Sequence, residues 1–299
     1  MTVSLETCAV IAHDAGGAEV LSSYVRRQGL RCVYVLQGPA LKVFERKLGP
    51  IENLPLEEAI RQADWVLCGT SWQSELEFDA IKLAHVKGKR SVAFLDHWCN
   101  YRERFERVGV QQLPDEIWVG DLIAEDIARN TLPSVPVRVV ENPYFMDVEE
   151  EFAGYEEPSH SVSEFRILYL CEAIAESGRT LPSGELIEYR SMSLFFEHLK
   201  SLETDGKIIT VRIRAHPAEE SGKYVAYLEQ GMFHVELSEN TTLIEDCVWA
   251  DMIVGMDSMA LIVAKIGGKK VYYCNLDGAK PESLPVAGLK SFLNVTHLE

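Results

Sequence analysis

The residues best suited to chemistry in this 299-residue sequence fall in four clusters. Two lie late in the chain: Arg212-Ile-Arg214-Ala-His216-Pro217 and Gly255-Met-Asp257-Ser258-Met259. Each follows a short apolar run with the look of a strand. Period-two alternation puts Arg212, Arg214 and His216 on one strand face. Two arginines on a covered face are costly unless they are paired or lie near an opening. A histidine at the strand end can bond a phosphate oxygen, and Pro217 ends the ladder there. Ser258 or Asp257 can cap a helix that starts at that point. The N–H groups of its first turn then attract an anion. Arg214, His216, Pro217, Gly255, Asp257, Ser258 and Met259 together read as a site for the phosphates of an activated donor. The plainer alternatives are an edge strand with solvated arginines and an ordinary helix cap.

The other two clusters lie early. In His13-Asp14-Ala-Gly16-Gly17, a carboxylate after the first strand can take a proton from an acceptor hydroxyl. His13 is the competing base. Gly16 and Gly17 permit close approach of backbone to a ligand, although the run is not the GxGxxG of dinucleotide sites. The fourth cluster is Asp96-His97-Trp98, followed by Asn100, Tyr101, Arg102 and Arg104. Aromatic faces stack on sugar rings while amides and charges bind hydroxyls, so this loop suits acceptor recognition. Gly69-Thr70-Ser71 is expected to line the same cleft. Glu75 and Glu77 beside it read as solvated helix residues. The alternatives are an N-cap aspartate with packing glycines, and a structural loop held by an Asp–Arg pair. No metal or cofactor is expected, since Asp96 and His97 are adjacent and no third ligand is evident.

These clusters need strands to carry them. Apolar runs predict strands over 8–12, 31–36, 64–68, 90–95, 115–119 and 137–140. Helical patterns lie between them over 18–28, 41–48, 56–62, 75–87 and 121–130. Residues 149–164 are acidic, carry Gly, Pro and Ser, and show no period. The pattern then restarts, with strands over 165–171, 208–213, 233–237, 252–254 and 270–273. Helices are predicted over 187–202, 223–230, 243–249 and 258–266. Alternation of this kind implies an α/β chain of two Rossmann-like, doubly wound parallel-sheet domains facing a cleft. The expected division is 1–148 for acceptor and base, a linker at 149–164, and 165–299 for the nucleotide donor. In such sheets ligands bind at carboxyl strand ends, where all four clusters fall.

Composition narrows the function. A net charge of −17 and a pI near 5.0 argue against a nucleic-acid binder. No apolar run is long enough to span a bilayer, and the first residues lack the basic start and apolar core of a signal peptide. A cytoplasmic location is expected, with peripheral association with an inner membrane left open, as is homo-oligomerisation. The seven cysteines are scattered and show no CxxC, so reduced thiols are expected. Neither GxSxG nor GxxxxGK[ST] occurs, which removes the nucleophile elbow and the Walker A loop.

With the Arg-Ala-His216-Pro217 turn and the segment from Gly255 through Ser258 to Val271, the chain resembles bacterial surface-polysaccharide glycosyltransferases of the GT-B fold. The resemblance is to sialyl-, polysialyl- and Kdo-type enzymes and polyol-phosphate transferases. It implies that His216 and Ser258 hold the donor's nucleotide phosphates and that Asp14 is the base. It also implies a CMP- or other NDP-linked sugar as co-substrate and a carbohydrate or glycolipid acceptor. Two features depart from the pattern. Asp257-Ser258 stands where a doubled serine or threonine is usual, and Ile262-Val263 where a ribose-binding glutamate is. The alternatives are a nucleotide-sugar epimerase or hydrolase, and a non-catalytic sugar- or nucleotide-binding protein.

Overall fold

The computed structural model describes residues 6–71, 74–156, 163–174, 180–229, 231–276, 284–285 and 288–298. The chain forms two compact units, Met1–Asp147 and Val148–Glu299. The first is built on a six-stranded sheet of β1 (Thr7–Ala12), β2 (Arg31–Leu36), β3 (Trp65–Cys68), β4 (Arg90–Leu95), β7 (Glu116–Val119) and β8 (Val137–Val139). β5 (Glu106–Arg107) and β6 (Val110–Gln111) form a small antiparallel hairpin between β4 and β7. The sheet order is β2-β1-β3-β4-β7-β8, and these strands pair in parallel. Its helices are α1 (Ala15–Gln28), α2 (Pro39–Leu48), α3 (Leu56–Gln62), α4 (Leu76–Val86) and α5 (Leu122–Thr131). Helix α6 (Pro143–Ala153) crosses from the first unit into the second.

The central strands are near-continuous apolar runs because helices cover both faces of a parallel sheet. Alternation sends Ile11, Val66, Ala93 and Ile117 to one apolar layer. Val10, Leu67, Phe94 and Trp118 go to the other, with Leu21 and Phe44.

The second unit repeats the architecture with β9 (Glu164–Leu170), β10 (Ile208–Arg214), β11 (His234–Leu237), β12 (Met252–Gly255), β13 (Lys270–Tyr273) and β14 (Lys290–Ser291). The order is β11-β10-β9-β12-β13-β14, again in parallel pairs. Counted within the unit this is 3-2-1-4-5-6, the dinucleotide-fold order. Its helices are α7 (Ile187–Leu199), α8 (Leu243–Trp249) and α9 (Met259–Ile266). Ile167, Tyr169, Phe195, Val211, Val254 and Phe292 share its core.

Two local expectations change. Residues 149–153, read as linker from their acidity, are the end of α6. Asn142 starts that helix by accepting the Tyr144 and Phe145 N–H groups (3.0 and 3.4 Å). One turn in, Asp147 takes Ser23 Oγ and Arg27 Nε at 2.6 and 2.7 Å, which ties α6 to α1. Residues 157–162 of that expected linker lie outside the described residues. The helix expected over 223–230 is only a 3-10 turn, Val225–Tyr227. Gly222 before it has φ +85, outside helical space. Gln230 lies outside the described residues.

Candidate functional site

In the first sheet the topological switch falls between β1 and β3, and the loops after them meet there. A Cβ on Gly17 would lie 3.4 Å from the Gly69 Cα, so the two loops approach within van der Waals contact. A Cβ on Gly16 would overlap Asp96 Oδ2, which brings the loop after β4 into the same group. On the other side, the His13 ring lies against Gly38, at the end of β2. Gly38 has φ +52, and a Cβ there would come within 2.8 Å of His13 Nε2.

Asp14 occupies the N-cap position of α1, yet its side chain makes no capping bond. Its carboxylate is turned to the neighbouring imidazole, with Asp14 Oδ1 2.7 Å from His13 Nδ1. Both side chains remain partly open, at 25% for His13 and 33% for Asp14. The plain-cap alternative therefore does not describe Asp14. An imidazole–carboxylate pair at a strand end can accept, hold and return a proton.

The pair rests on a residue that sequence reasoning placed in solvent. Glu77, in the first turn of α4, is 2% exposed. Its Oε1 accepts the His13 backbone N–H at 2.8 Å, while its buried Oε2 has no hydrogen-bond partner. Burial pushes its carboxyl up from 4.5 to about 7, with Asp14 adding to the rise; backbone N–H groups and His13 pull the other way. Its neighbour Glu75 is exposed and pairs with Arg107 at 3.0 Å. A period-two or helical pattern cannot separate the two glutamates, because burial of Glu77 depends on where the β1 and β3 loops close over α4.

The loop after β4 divides between structure and surface. Arg104 Nη1 donates to Asp96 Oδ1 (2.8 Å), Thr70 Oγ1 (2.8 Å) and Thr70 O (2.9 Å). Arg107 Nη2 donates to Ser71 O at 2.8 Å. Thr70 and Ser71 are buried, so their expected role as acceptor contacts is corrected: they anchor the two arginines. Tyr101 is corrected too, since it sits 2% exposed in the core and its hydroxyl has no hydrogen-bond partner. His97 and Trp98 are half-buried, and Asn100 and Arg102 are exposed. Trp98 Nε1 donates to Asp121 Oδ2 at 2.8 Å. Asp121 Oδ1 in turn caps α5 by accepting the Ala124 N–H at 2.8 Å. The side chains left near the surface beside Asp96 are therefore His97, Trp98, Asn100 and Arg102.

In the second unit the switch falls between β9 and β12. Arg214, Leu170 and Gly255 are level with one another across β10, β9 and β12. His216 and Asp257 each lie two residues beyond these strand ends, and Glu172 lies in the loop after β9. A Cβ on Gly255 would lie 2.9 Å from the Leu170 carbonyl oxygen, so glycine is needed there for the strands to pair. Glu172 Oε2 accepts the Asp257 N–H at 3.1 Å. Ser258 caps α9, its Oγ accepting from Ala260 N at 3.3 Å; Met259 is the first helical residue, half-buried.

His216 Nδ1 accepts the Ala218 N–H at 3.2 Å. In a neutral ring whose Nδ1 accepts, the proton is on Nε2. The turn ending in the exposed Pro217 is fixed from below, where Glu219 Oε2 accepts the His216 N–H at 2.8 Å. Glu219 Oε1 also holds Lys223 Nζ (2.8 Å) and the Tyr224 hydroxyl, and Lys223 reaches Glu188 at 2.6 Å.

Arg214 does not fit the phosphate role that spacing suggests. Its Nη1 donates to Asp246 Oδ2 (2.6 Å), Thr241 O (3.0 Å) and Ser238 Oγ (3.1 Å). Arg212 Nη1 reaches the other Asp246 oxygen at 3.1 Å and its guanidinium lies 3.8 Å from the Trp249 ring centroid. Asp246 is 0% exposed. The two arginines on a covered strand face are thus tolerated because α8 supplies a buried carboxylate for both. Among the described residues no group of three or more His, Cys, Asp or Glu side chains is placed to hold a metal ion. No helix there is long and apolar enough to cross a membrane. None of the seven cysteines is in a disulfide.

No protein-family model matches the chain, and no curated protein sequence matches it either. Solved structures do. UDP-GlcNAc 2-epimerase from Methanocaldococcus jannaschii superposes with a TM-score of 0.56 at 14% identity, covering 89% of this chain and 83% of that one. MurG from Acinetobacter baumannii gives 0.52 at 11% identity, covering 92% and 80%. The glycotransferase of kitacinnamycin gives 0.51 at 13%, covering 90% and 80%.

The fold is GT-B-like.

Glycosyltransferases and UDP-GlcNAc 2-epimerases share this GT-B-like arrangement of two Rossmann-like domains. At such identities the likeness concerns fold, and chemistry has to be argued from the side chains above.

Proposed function

We propose that the chain is a glycosyltransferase that moves a sugar from a nucleotide-activated donor to a hydroxyl of a carbohydrate or glycolipid acceptor. The observation that carries this reading is the Asp14 carboxylate, which gives up its helix-capping bond for the His13 ring while staying partly open. Asp14 takes the acceptor proton, with His13 holding it in place. The acceptor oxygen then bonds the anomeric carbon as the bond to the phosphate oxygen breaks. The electron pair leaves with the nucleotide.

The donor belongs to the Val148–Glu299 unit in this reading. His216 donates from Nε2 to a phosphate oxygen, and the N–H groups at the start of α9, after Ser258, meet the developing charge. Gly255, Asp257 and Met259 shape that turn. Asp96, His97, Trp98, Asn100 and Arg102 meet the acceptor, with Gly16 and Gly17 leaving room for it. Support also comes from the fold, which glycosyltransferases share.

A second reading is a nucleotide-sugar epimerase acting with the same groups. It is favoured by the likeness to UDP-GlcNAc 2-epimerase, at a TM-score of 0.56.

The test starts from a thermal-shift panel of CMP-, CDP- and UDP-linked sugars. The best binder is then incubated with and without hydroxyl acceptors, and products are separated by chromatography. Transfer is expected only with acceptor, and Asp14→Asn and His216→Ala should each lower it at least ~10²-fold. Conversion of the donor without acceptor selects the epimerase reading. Full transfer by both variants overturns the assignment, and a panel without any binder points to a protein of another kind.

A further inference from the structure

Glu77 has features that neither reading above uses. It is a carboxyl at the switch point of the first sheet, 2% exposed, reached by the backbone of the very loop that carries His13 and Asp14. One oxygen accepts the His13 N–H and the other lies buried without a hydrogen-bond partner. A Cβ on Gly69 would lie 3.6 Å from Glu77 Oε1, so the glycine of the β3 loop also borders this carboxyl. A glutamate serving only packing has no reason to stay acidic here, because an ionised carboxylate with an unpartnered oxygen is expensive to bury. A glutamine keeps the shape and the bond to His13 without that cost.

We propose that Glu77 is the positioning residue of the His13–Asp14 pair: it fixes the loop through the His13 amide and sets the charge beneath the pair. This rests on the reading of that pair as the proton-handling group. Glu77 then has two working states. Protonated, it is a neutral support, and the His13 N–H meets a weaker acceptor. Ionised, it places a second negative charge beside Asp14 and strengthens the bond to the His13 amide.

The titratable groups around Glu77 are few. His13 and Asp14 face it from the loop after β1, and Cys68 is at the end of β3. After β4, Asp96 is tied to Arg104. On α3, Glu57, Glu58 and Arg61 are outside the buried face formed by Ala59 and Ile60. Asp79 and Lys82 of α4, and Glu75 just before it, are exposed. Burial, with Asp14, pushes the carboxyl up to about 7, so both states are populated near neutral pH.

The experiment has two arms on the full chain. In the first, the backbone amide resonances of His13 and Asp14 are followed by two-dimensional NMR between pH 5.5 and 8.5. The wild type should show an inflection near pH 7 at the His13 amide, and Glu77→Gln should abolish it. In the second, kcat/KM for transfer is measured over the same range. The wild-type profile should rise through an inflection near neutrality that Glu77→Gln removes, with the variant held at its lower plateau. Absence of the NMR inflection in the wild type overturns the proposal whatever the reaction is. An inflection lost in the variant with an unchanged rate profile overturns the positioning role. If no nucleotide sugar reacts at all while the Glu77-dependent inflection is present, the proposed reaction fails and the hold of Glu77 on the loop stands.

Discussion

The buried carboxylate of Asp246 offers the sharpest test of how the second unit is held together. It is 0% exposed and receives Arg212 at 3.1 Å, Arg214 at 2.6 Å and Thr241 Oγ1 at 2.8 Å, together with the Ser238 hydroxyl. Asp246→Ala removes the hub and leaves Arg212 with Glu236 (2.6 Å) and Arg214 with only the neutral Ser238 and Thr241. Breaking a buried pair by deleting one partner costs about 3–5 kcal/mol. At about 2–4 °C per kcal/mol for a unit of this size, the unfolding midpoint should fall by roughly 6–20 °C. Arg214→Ala removes only one spoke. The carboxylate keeps Arg212, Ser238 and Thr241, so the loss should be that of one charged hydrogen-bond donor, about 1.5–3 kcal/mol. The double variant should cost less than the sum of the singles by about 1 kcal/mol or more, because the two share one interaction. Trp249 is the only tryptophan beyond residue 118, and Arg212 lies over its ring. Urea titrations followed by circular dichroism measure the loss, because the other four tryptophans, all in the first unit, share the fluorescence signal. A loss below about 1 kcal/mol for Asp246→Ala, or a larger loss for Arg214→Ala than for Asp246→Ala, refutes the hub argument.

Three further outcomes are expected. Glu77 titrates at 4.5 in an ordinary environment and at about 7 in the fold, so the native state binds the extra proton between those values. Stability is then fully present below about pH 4.5 and is lost as pH rises through 7, by up to about 3 kcal/mol; chemical denaturation from pH 5 to 8 should show this slope in the wild type and a flatter one in Glu77→Gln. Gly255→Ala sets a methyl 2.9 Å from the Leu170 carbonyl oxygen; backbone cannot yield cheaply, and overpacking of this kind costs about 1–3 kcal/mol in a denaturant titration. Gly16→Ala drives its methyl into Asp96 Oδ2, whose other oxygen is tied to Arg104 at 2.8 Å; the midpoint of thermal unfolding should drop by several degrees, and an unchanged midpoint would mean that the Asp96–Arg104 pair shifts without cost.

The strands and the helices between them were readable because two-sided burial leaves its mark as continuous apolar runs, as in TCAVIA and MIVG. The helix start at Ser258 was readable from residue type and position, as was the grouping of polar residues after strands, whereas α1 begins at Ala15 rather than at the expected residue 18. What the caps actually do was not readable. Ser258 caps α9, whereas Asp14 pairs with His13, and no pattern in the sequence distinguishes the two. The end of α6 escaped because Glu149, Glu150 and Glu151 look like linker, while the hydrogen bonds that start the helix and tie it to α1 are made before them, at Asn142 and Asp147. Arg214 looked like a phosphate ligand because its carboxylate partner is on α8, 32 residues on.

By itself the sequence determined an α/β chain of two parallel-sheet units with its polar clusters at carboxyl strand ends. Those properties follow from local periodicity, in which each residue's neighbours in the chain already hold the information. Only the tertiary structure decided which charged groups are occupied with one another and which remain at the surface. Asp246 takes up Arg212 and Arg214, and Arg104 takes up Asp96 and Thr70. His13, Asp14 and His216 stay partly open. Glu77 is the clearest case: two residues from a solvent-facing glutamate, it becomes a buried acid because the loops after β1 and β3 meet over the first turn of α4. Pairing and burial depend on groups brought together across long stretches of chain, and it is through them that a glutamate on a helix becomes part of a site.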